Sequence, residues 1–301
     1  MEKEGKKPLL GLYLPEDFFT APRKAEQYRV SPKQQIRILS FYIAWGADNS
    51  KPDLAGMQNV ITQGYIPMIT WEPWRRPEAS DAIRPDDQPD FSLQSILSGR
   101  HDDYIRHWAC AVKELSQPVF LRPMHEMNGN WYPWCGTTNG NTPGNYVEAW
   151  RYLRAIFREA QNDNALWVWC PYAHSVPDER DNEIACYFPG DREVDWLGLD
   201  GYNWGTNRDW ASWQSFEEIF AEGYAILTKL APGKPIMIAE VGCAEEGGDK
   251  SAWIRDAFEA VANKLFQTKA LVWFNVDKEC DWRMESSEKS AASFKNNWSR
   301  L

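Results

Sequence analysis

Two glutamates of this sequence are placed where a folded chain could use them for acid–base chemistry. Glu126 follows an apolar run that begins at Val119, and Glu240 follows the run Pro235-Ile-Met-Ile-Ala. Two carboxyl groups that face each other can cleave a bond together, each with a different role. One, kept protonated by its surroundings, donates a proton, and the other attacks a carbon or activates a water. This chemistry requires a fold that brings two distant strand ends together.

About eight short apolar runs could supply those strands. Several are continuous rather than alternating, as is typical of parallel strands covered on both faces. The runs are Leu9–Leu14, Ile36–Ala44, Ile66–Trp71, Val119–Met124, Leu166–Cys170, Trp196–Leu199, Ile236–Val241 and Leu271–Val276.

Helical patterns lie between the runs. Thr142-Pro143 predicts a helix start, because Thr caps well and Pro suits the first helical position. Asp249 predicts a second cap, and 101–117 a third helix with His101 and His107 on its surface. This alternation predicts a closed (β/α)8 barrel, one catalytic domain over residues 1–301. An open doubly wound sheet is the alternative, but neither GxGxxG nor GxxxxGKS/T occurs.

In such a barrel the chemistry gathers at the rim where the strands end. Aromatic and carboxylate residues alternate along these predicted ends. They include Tyr13, Trp45, Trp71, Glu72, Trp74, Tyr172, Asp200, Tyr202 and Trp273. The long segments 73–99 and 128–144 follow strands and are rich in Pro, Gly, Asp and Asn, so we expect them to form a cleft.

Composition narrows the class of ligand. The 301 residues include 43 acidic and 33 basic side chains, a net charge of −10, which is the wrong sign for a nucleic-acid footprint. There are 17 tryptophans, and aromatic residues make up 14% of the chain. An aromatic surplus on an acidic protein favours a neutral ligand with apolar faces, such as a sugar.

The sequence predicts neither a metal nor a cofactor. It has four histidines without HExxH and six cysteines without CxxC, so we expect mostly buried free thiols and no zinc site. No stretch is apolar enough to cross a membrane. The patch Leu9–Leu14 is too short for a signal core and is interpreted as a strand. We expect a monomer that is secreted, with any signal peptide absent from this chain; a cytoplasmic protein is the alternative.

The segment 122–134, Arg-Pro-Met-His-Glu-Met-Asn-Gly-Asn-Trp-Tyr-Pro-Trp, resembles the signature of glycoside hydrolase family 26. Further similar blocks lie at 69–74, 200–205, 238–242 and 273–275, so the resemblance extends over most of the chain. The family consists largely of β-mannanases on a (β/α)8 barrel, with some mixed-linkage β-glucanases and β-1,3-xylanases.

Matched position by position, the resemblance implies a role for each motif residue. Glu126 would be the acid/base and Glu240 the nucleophile of a retaining double displacement. The remaining implied residues bind substrate or tune the glutamates. His125 would contact the sugar at the cleavage point, and Trp131 would wall that subsite and raise the pKa of Glu126 by excluding water. Tyr202 would orient Glu240, Trp273 would be the floor on which the sugar stacks, and Trp74 and Trp204 would serve more distant subsites.

Each role has a structural alternative. Either glutamate could simply form a salt bridge with Arg122 or another basic residue of the rim, and His125 could merely orient a neighbour. Trp131 and Trp273 could pack in the core. At the level of function, an endo-β-1,4-mannanase competes with a mixed-linkage glucanase or β-1,3-xylanase, and with a carbohydrate-binding barrel that lacks catalysis. Endo or exo action and the number of subsites stay open.

Overall fold

Eight parallel strands close into a barrel in chain order, each strand pairing with its sequence neighbours and the eighth with the first. The computed structural model describes residues 7–29, 35–47, 50–77, 84 and 86–298. The predicted (β/α)8 barrel is therefore confirmed, and the open sheet is wrong. The strands are β1 Leu9–Tyr13, β2 Ile36–Ala44, β3 Ile66–Glu72, β4 Val119–Pro123, β5 Ala165–Trp169, β6 Trp196–Asn203, β7 Ile236–Cys243 and β8 Thr268–Phe274.

Helices cover the outside of the barrel. The α-helices in the described ranges are α1 Ala21–Ala25, α2 Leu54–Thr62, α3 Leu93–Leu97, α4 Asp102–Lys113, α5 Pro143–Glu159, α6 Phe216–Leu230, α7 Lys250–Asn263 and α8 Glu288–Trp298. Both predicted caps are confirmed: Thr142 accepts the amide of Asn145, and Asp249 accepts that of Ala252. None of these helices has the length and apolarity that crossing a membrane requires.

The two predicted surface histidines differ. His107 is exposed on α4, as expected. His101 is half-buried just before that helix, where its ring stacks on Phe91 and meets Trp45 edge-on. The prediction of a surface position is therefore wrong for His101, because a neighbouring loop covers the first turn of the helix.

Alternation along the strands divides the core into two layers. An inner cluster fills the barrel with residues such as Ile38, Met68, Phe120, Met237 and Val272. A larger outer cluster lies between the strands and the helices. Because successive side chains point to opposite faces of a strand, one position in the sequence decides whether a residue faces the helices or the barrel interior.

The cysteines follow the expected pattern. All six are free thiols, four of them buried and two, Cys110 and Cys186, exposed. Three buried thiols, those of Cys135, Cys170 and Cys243, have pKa values raised by desolvation, so they behave as small apolar side chains.

Candidate active site

A cavity of about 810 Å³ opens at the rim formed by the strand ends. Both Glu126 and Glu240 line it, so the fold brings the two predicted glutamates to one site. The predicted residues Trp74, Trp131, Tyr202 and Trp204 line it too. The predicted loop segments contribute Trp74, Arg76, Pro77 and Asn130–Tyr132 to its wall, while 78–83 and 85 lie outside the described residues.

Three donors hold the carboxylate of Glu240, which lies on β7. The hydroxyl of Tyr42 and the guanidinium of Arg122 both donate to Oε1. The hydroxyl of Tyr202 donates to Oε2 at 2.5 Å. Both oxygens are therefore engaged, and the plane of the carboxylate is set by groups from three other strands.

Arg122 connects Glu240 to a second buried carboxylate. It is fully buried near the end of β4, pairs with Asp200 at 2.6 Å, and donates to Thr70 at 2.7 Å. The ion pair considered as a structural alternative is thus present for Glu240. Arg122 pairs with both carboxylates, but Asp200 is fully buried, whereas Glu240 faces the cavity. The ion pair is therefore compatible with a catalytic role for Glu240.

Glu126 sits on a strained backbone just beyond β4. Its φ is +54°, and that of Met124 is +48°, in the left-handed region that residues other than glycine seldom adopt. The amide of Glu126 donates to the carbonyl of Cys170 at 2.8 Å, which ties this turn to the end of β5. The turn aims the carboxyl group into the cavity instead of along the strand.

The surroundings keep the carboxyl group of Glu126 protonated at neutral pH. Burial and the nearby charge of Glu240 raise its pKa to about 8. Trp131 donates its indole N–H to Oε2 at 2.7 Å, which lowers the pKa and opposes those two effects. Trp131 therefore walls the cavity as expected, but the hydrogen bond it makes acts on the pKa in the opposite direction to the one we predicted.

His125 lies beneath the cavity rather than on its wall. Its side chain is 1% exposed, packs against Tyr132 and Trp134, and brings Nε2 within 3.9 Å of Glu240 Oε1. Burial and the charge of Arg122 lower its pKa well below the usual value, so the ring is neutral. The structure gives His125 no surface for the sugar contact that we predicted; it supports a positioning role.

The prediction that Trp273 is the floor on which the sugar stacks is wrong. Its side chain is 1% exposed, donates to the carbonyl of Trp282 at 2.8 Å, and packs edge-on against Trp253 and Phe294. Alternation on β8 turns Trp273 toward the helices and the next residue, Phe274, toward the cavity. What separates the two sides of β8 is the cavity lining, which includes Phe274 and Trp282 but not Trp273.

Comparisons with known proteins agree with this geometry. The family model described as Glycosyl hydrolase family 26 matches residues 68–275. The chain belongs to glycoside hydrolase family 26.

Relatives within family 26 differ in their names. Endoglucanase H of Acetivibrio thermocellus is 35% identical over 267 residues, which are 87% of this chain and 27% of that protein. A mannan endo-1,4-beta-mannosidase of Bacillus subtilis (strain 168) is 28% identical over 190 residues, 60% of this chain and 44% of that one. A beta-1,3-xylanase of Alcaligenes sp is 22% identical over 206 residues, 64% of this chain and 42% of that one. The chain thus spans less than half the length of these relatives.

The fold agrees with solved structures of family 26. The catalytic domain of the GH26 endo-beta-1,4-mannanase of Bacillus sp. JAMB-750 superposes with a TM-score of 0.72 at 17% identity, covering 98% of this chain and 86% of that one. At that identity the likeness shows the fold alone.

Several site residues of this family 26 barrel were not predicted. They are Tyr42, Tyr132 and Trp282, all on the cavity wall, whereas Tyr13, which we expected at the rim, lines the cavity as well. Tyr42 could have been recognised from the sequence, because it shares a strand face with Ser40, a buried polar residue, and both lie in 38–44, where the other residues are apolar. Polar residues repeating every second position in such a run indicate the inward face.

One cluster near the site consists of residue types that commonly bind metal ions. His125, Glu126 and Asp200 place one ligand atom each within 4.8 Å of one another. Arg122 already neutralises Asp200 at 2.6 Å, and a cation there would meet that guanidinium. The donor set therefore fits an ion-pair network better than a metal centre.

Proposed function

We propose that this chain is the catalytic domain of a retaining endo-β-glycanase in which Glu126 is the acid/base and Glu240 the nucleophile. The observation that carries the proposal is the contrast between the two carboxyl groups in one cavity. Glu126 is held protonated, with a pKa of about 8, whereas Glu240 is fixed by three donors. Paired carboxyl groups in unequal surroundings are what glycosidic cleavage uses.

In the first step Glu126 gives its proton to the glycosidic oxygen while Glu240 attacks the anomeric carbon. The bond to the leaving sugar breaks and an ester to Glu240 forms. Oε2 has a single donor, Tyr202, whereas Oε1 is held by both Arg122 and Tyr42. Attack through Oε2 keeps the better-bound oxygen in place, so we assign the new bond to Oε2.

In the second step Glu126, now ionised, takes a proton from a water that attacks the anomeric carbon, and Glu240 leaves as a carboxylate. Esterification has removed the charge of Glu240, one of the causes that raise the pKa of Glu126. The pKa of Glu126 therefore falls while the ester exists, which suits its change from acid to base.

For the substrate we propose β-1,4-mannan. The support is the group of relatives named mannan endo-1,4-beta-mannosidase together with an aromatic, neutral-ligand cavity. Mixed-linkage β-glucan is the second candidate, because the match that covers 87% of the chain is to a protein named Endoglucanase H. Only 27% of that protein is matched, so its name need not describe the matched part.

A panel of galactomannan, glucomannan, barley β-glucan, β-1,3-xylan and carboxymethyl cellulose tests the proposal, with reducing ends measured and oligosaccharide products sized. We expect mannan cleavage into mixed oligosaccharides and, by NMR of the first products, retained anomeric configuration. Cleavage of barley β-glucan alone would select the second candidate. An inverted product, or no cleavage of any of them, would contradict the mechanism.

A further inference from the structure

Trp210 is the most exposed large apolar side chain in the described ranges, at 71% of its surface. It lies on the loop between β6 and α6 and belongs to the cavity wall. Among the other large apolar side chains that are exposed, Phe19, Leu54 and Phe266 are not on that wall. An indole left in water beside a binding cavity is an unfavourable arrangement for the free protein unless a ligand covers it.

The loop holds Trp210 at a fixed place. The indoles of Trp210 and Trp204 meet at 5.3 Å, and the guanidinium of Arg208 lies 5.5 Å from the ring centre of Trp204. Arg208 also donates to the carbonyls of Asn207 and Glu279, the latter at 3.2 Å on the loop after β8. The exposed ring therefore rests on a braced support.

The same loop is tied to the one after β7. Asn207 donates to the carboxylate of Glu246 at 2.7 Å, and the amide of Thr206 to the carbonyl of Glu246 at 3.2 Å. Gly205 has a φ of +58°, and a Cβ added there would lie 1.8 Å from that carbonyl oxygen. Only glycine permits this close approach, so three loops pack into one unit beneath Trp210.

Trp210 is remote from the reacting carboxyl groups but continuous with them. Ring contacts lead from Trp210 to Trp204, from Trp204 to Trp282 at 4.9 Å, and from Trp282 to Tyr202 at 4.9 Å. Tyr202 in turn hydrogen-bonds Glu240. A sugar on Trp210 is thus separated from the cleavage point by the surface that Trp204 and Trp282 form.

We infer that Trp210, braced by Trp204 and Arg208, is a stacking platform for a pyranose ring of the substrate at a subsite distant from the cleaved bond. This inference rests on the proposed glycanase function and adds a determinant of chain length. A flat indole covers the apolar C–H face of a sugar, and the neighbouring pair Lys278–Glu279, joined at 2.6 Å, offers polar groups for hydroxyls. Binding at a remote subsite supplies energy that the reacting subsite can use.

The test compares kcat/KM on the polysaccharide that the wild type cleaves best with kcat/KM on an aryl β-disaccharide of the same sugar. We expect Trp210→Ala to lower the polysaccharide-to-disaccharide ratio about tenfold, equivalent to ~1.4 kcal/mol of binding. Trp210→Phe should recover part of the loss. Phe266→Ala is the matched control, because Phe266 is 68% exposed and off the cavity wall, and we expect it to leave the ratio unchanged.

Two failures can be told apart. A wild-type chain that cleaves none of the polysaccharides contradicts the proposed function itself. An active wild type whose ratio Trp210→Ala leaves unchanged contradicts the platform alone. Titration of a hexasaccharide into Glu240→Ala, with and without Trp210→Ala, gives the same comparison as an affinity, and equal affinities would likewise overturn the inference.

Discussion

We predict that the hydrogen bond from the indole N–H of Trp131 to Glu126 sets the pH above which activity is lost. In the proposed mechanism Glu126 is the general acid and works only while protonated, so we expect kcat/KM to fall as the pH rises through the pKa of Glu126, about 8. The indole N–H stabilises the ionised form of the carboxyl group from 2.7 Å. Trp131→Phe keeps an aromatic wall and removes that donor, so we expect the alkaline limb to move to higher pH.

The size of the shift follows from the strength of the bond. A hydrogen bond to a charged group contributes ~1.5–3 kcal/mol, and one pKa unit corresponds to ~1.36 kcal/mol. The open cavity lets water replace part of the lost donor, so we expect the lower end, about one pH unit upward.

The assay is the pH dependence of kcat/KM on one soluble polysaccharide for the wild type, Trp131→Phe and Trp210→Phe. The last is a matched control, since Trp210 lies on the same wall and no hydrogen bond joins it to Glu126 among the described residues. We expect its alkaline limb to coincide with that of the wild type. A limb that stays in place or moves to lower pH in Trp131→Phe would refute the reasoning.

Three further predictions concern the glutamates, the buried arginine and the misplaced tryptophan. Glu126→Ala and Glu240→Ala should each lower kcat by roughly 10³-fold or more while circular dichroism stays native; wild-type turnover in either would remove its assigned role. Arg122→Met leaves Asp200 and Glu240 without their partner, so it should destabilise the fold by about 3–5 kcal/mol in urea titration, and an unchanged midpoint would contradict this. Trp273→Ala should cost about 3–5 kcal/mol of stability as a core truncation, and Trp273→Phe should leave KM unchanged; a raised KM in Trp273→Phe would restore the subsite role.

The barrel and the two glutamates were predictable for a simple physical reason. A parallel strand covered on both faces is mostly apolar, so a carboxylate that closes such a run lies near a strand end. Glu126 lies just beyond the end of β4, and Glu240 lies on β7 three residues before its last residue, so both are close to the rim where all the parallel strand ends meet. Their positions therefore needed only the order of the elements, not the details of packing.

The direction of single side chains was harder to predict, as β8 shows. Its last five residues, Ala-Leu-Val-Trp-Phe, are all apolar, so the pattern contains no sign of which ones face inward. Reading the alternation one residue out of register exchanges Trp273, which faces the helices, with Phe274, which faces the cavity. Trp210 escaped prediction for another reason: it lies on a loop without periodicity, and its exposure follows from contacts between three loops.

The backbone at Glu126 has a consequence for the evolution of this fold. A side chain at φ +54° carries a penalty of ~1–2 kcal/mol that a glycine would avoid. Glu126→Ala and Glu126→Gly both delete the carboxyl group and differ in whether a Cβ remains at that strained position. We expect the glycine variant to have the higher free energy of unfolding, by up to about 1 kcal/mol after the entropy cost of glycine is subtracted, and therefore the higher denaturant midpoint. Equal midpoints would contradict the strain. Under the proposed mechanism a glycine at this site would raise stability and remove turnover, so durability and activity conflict at a single residue.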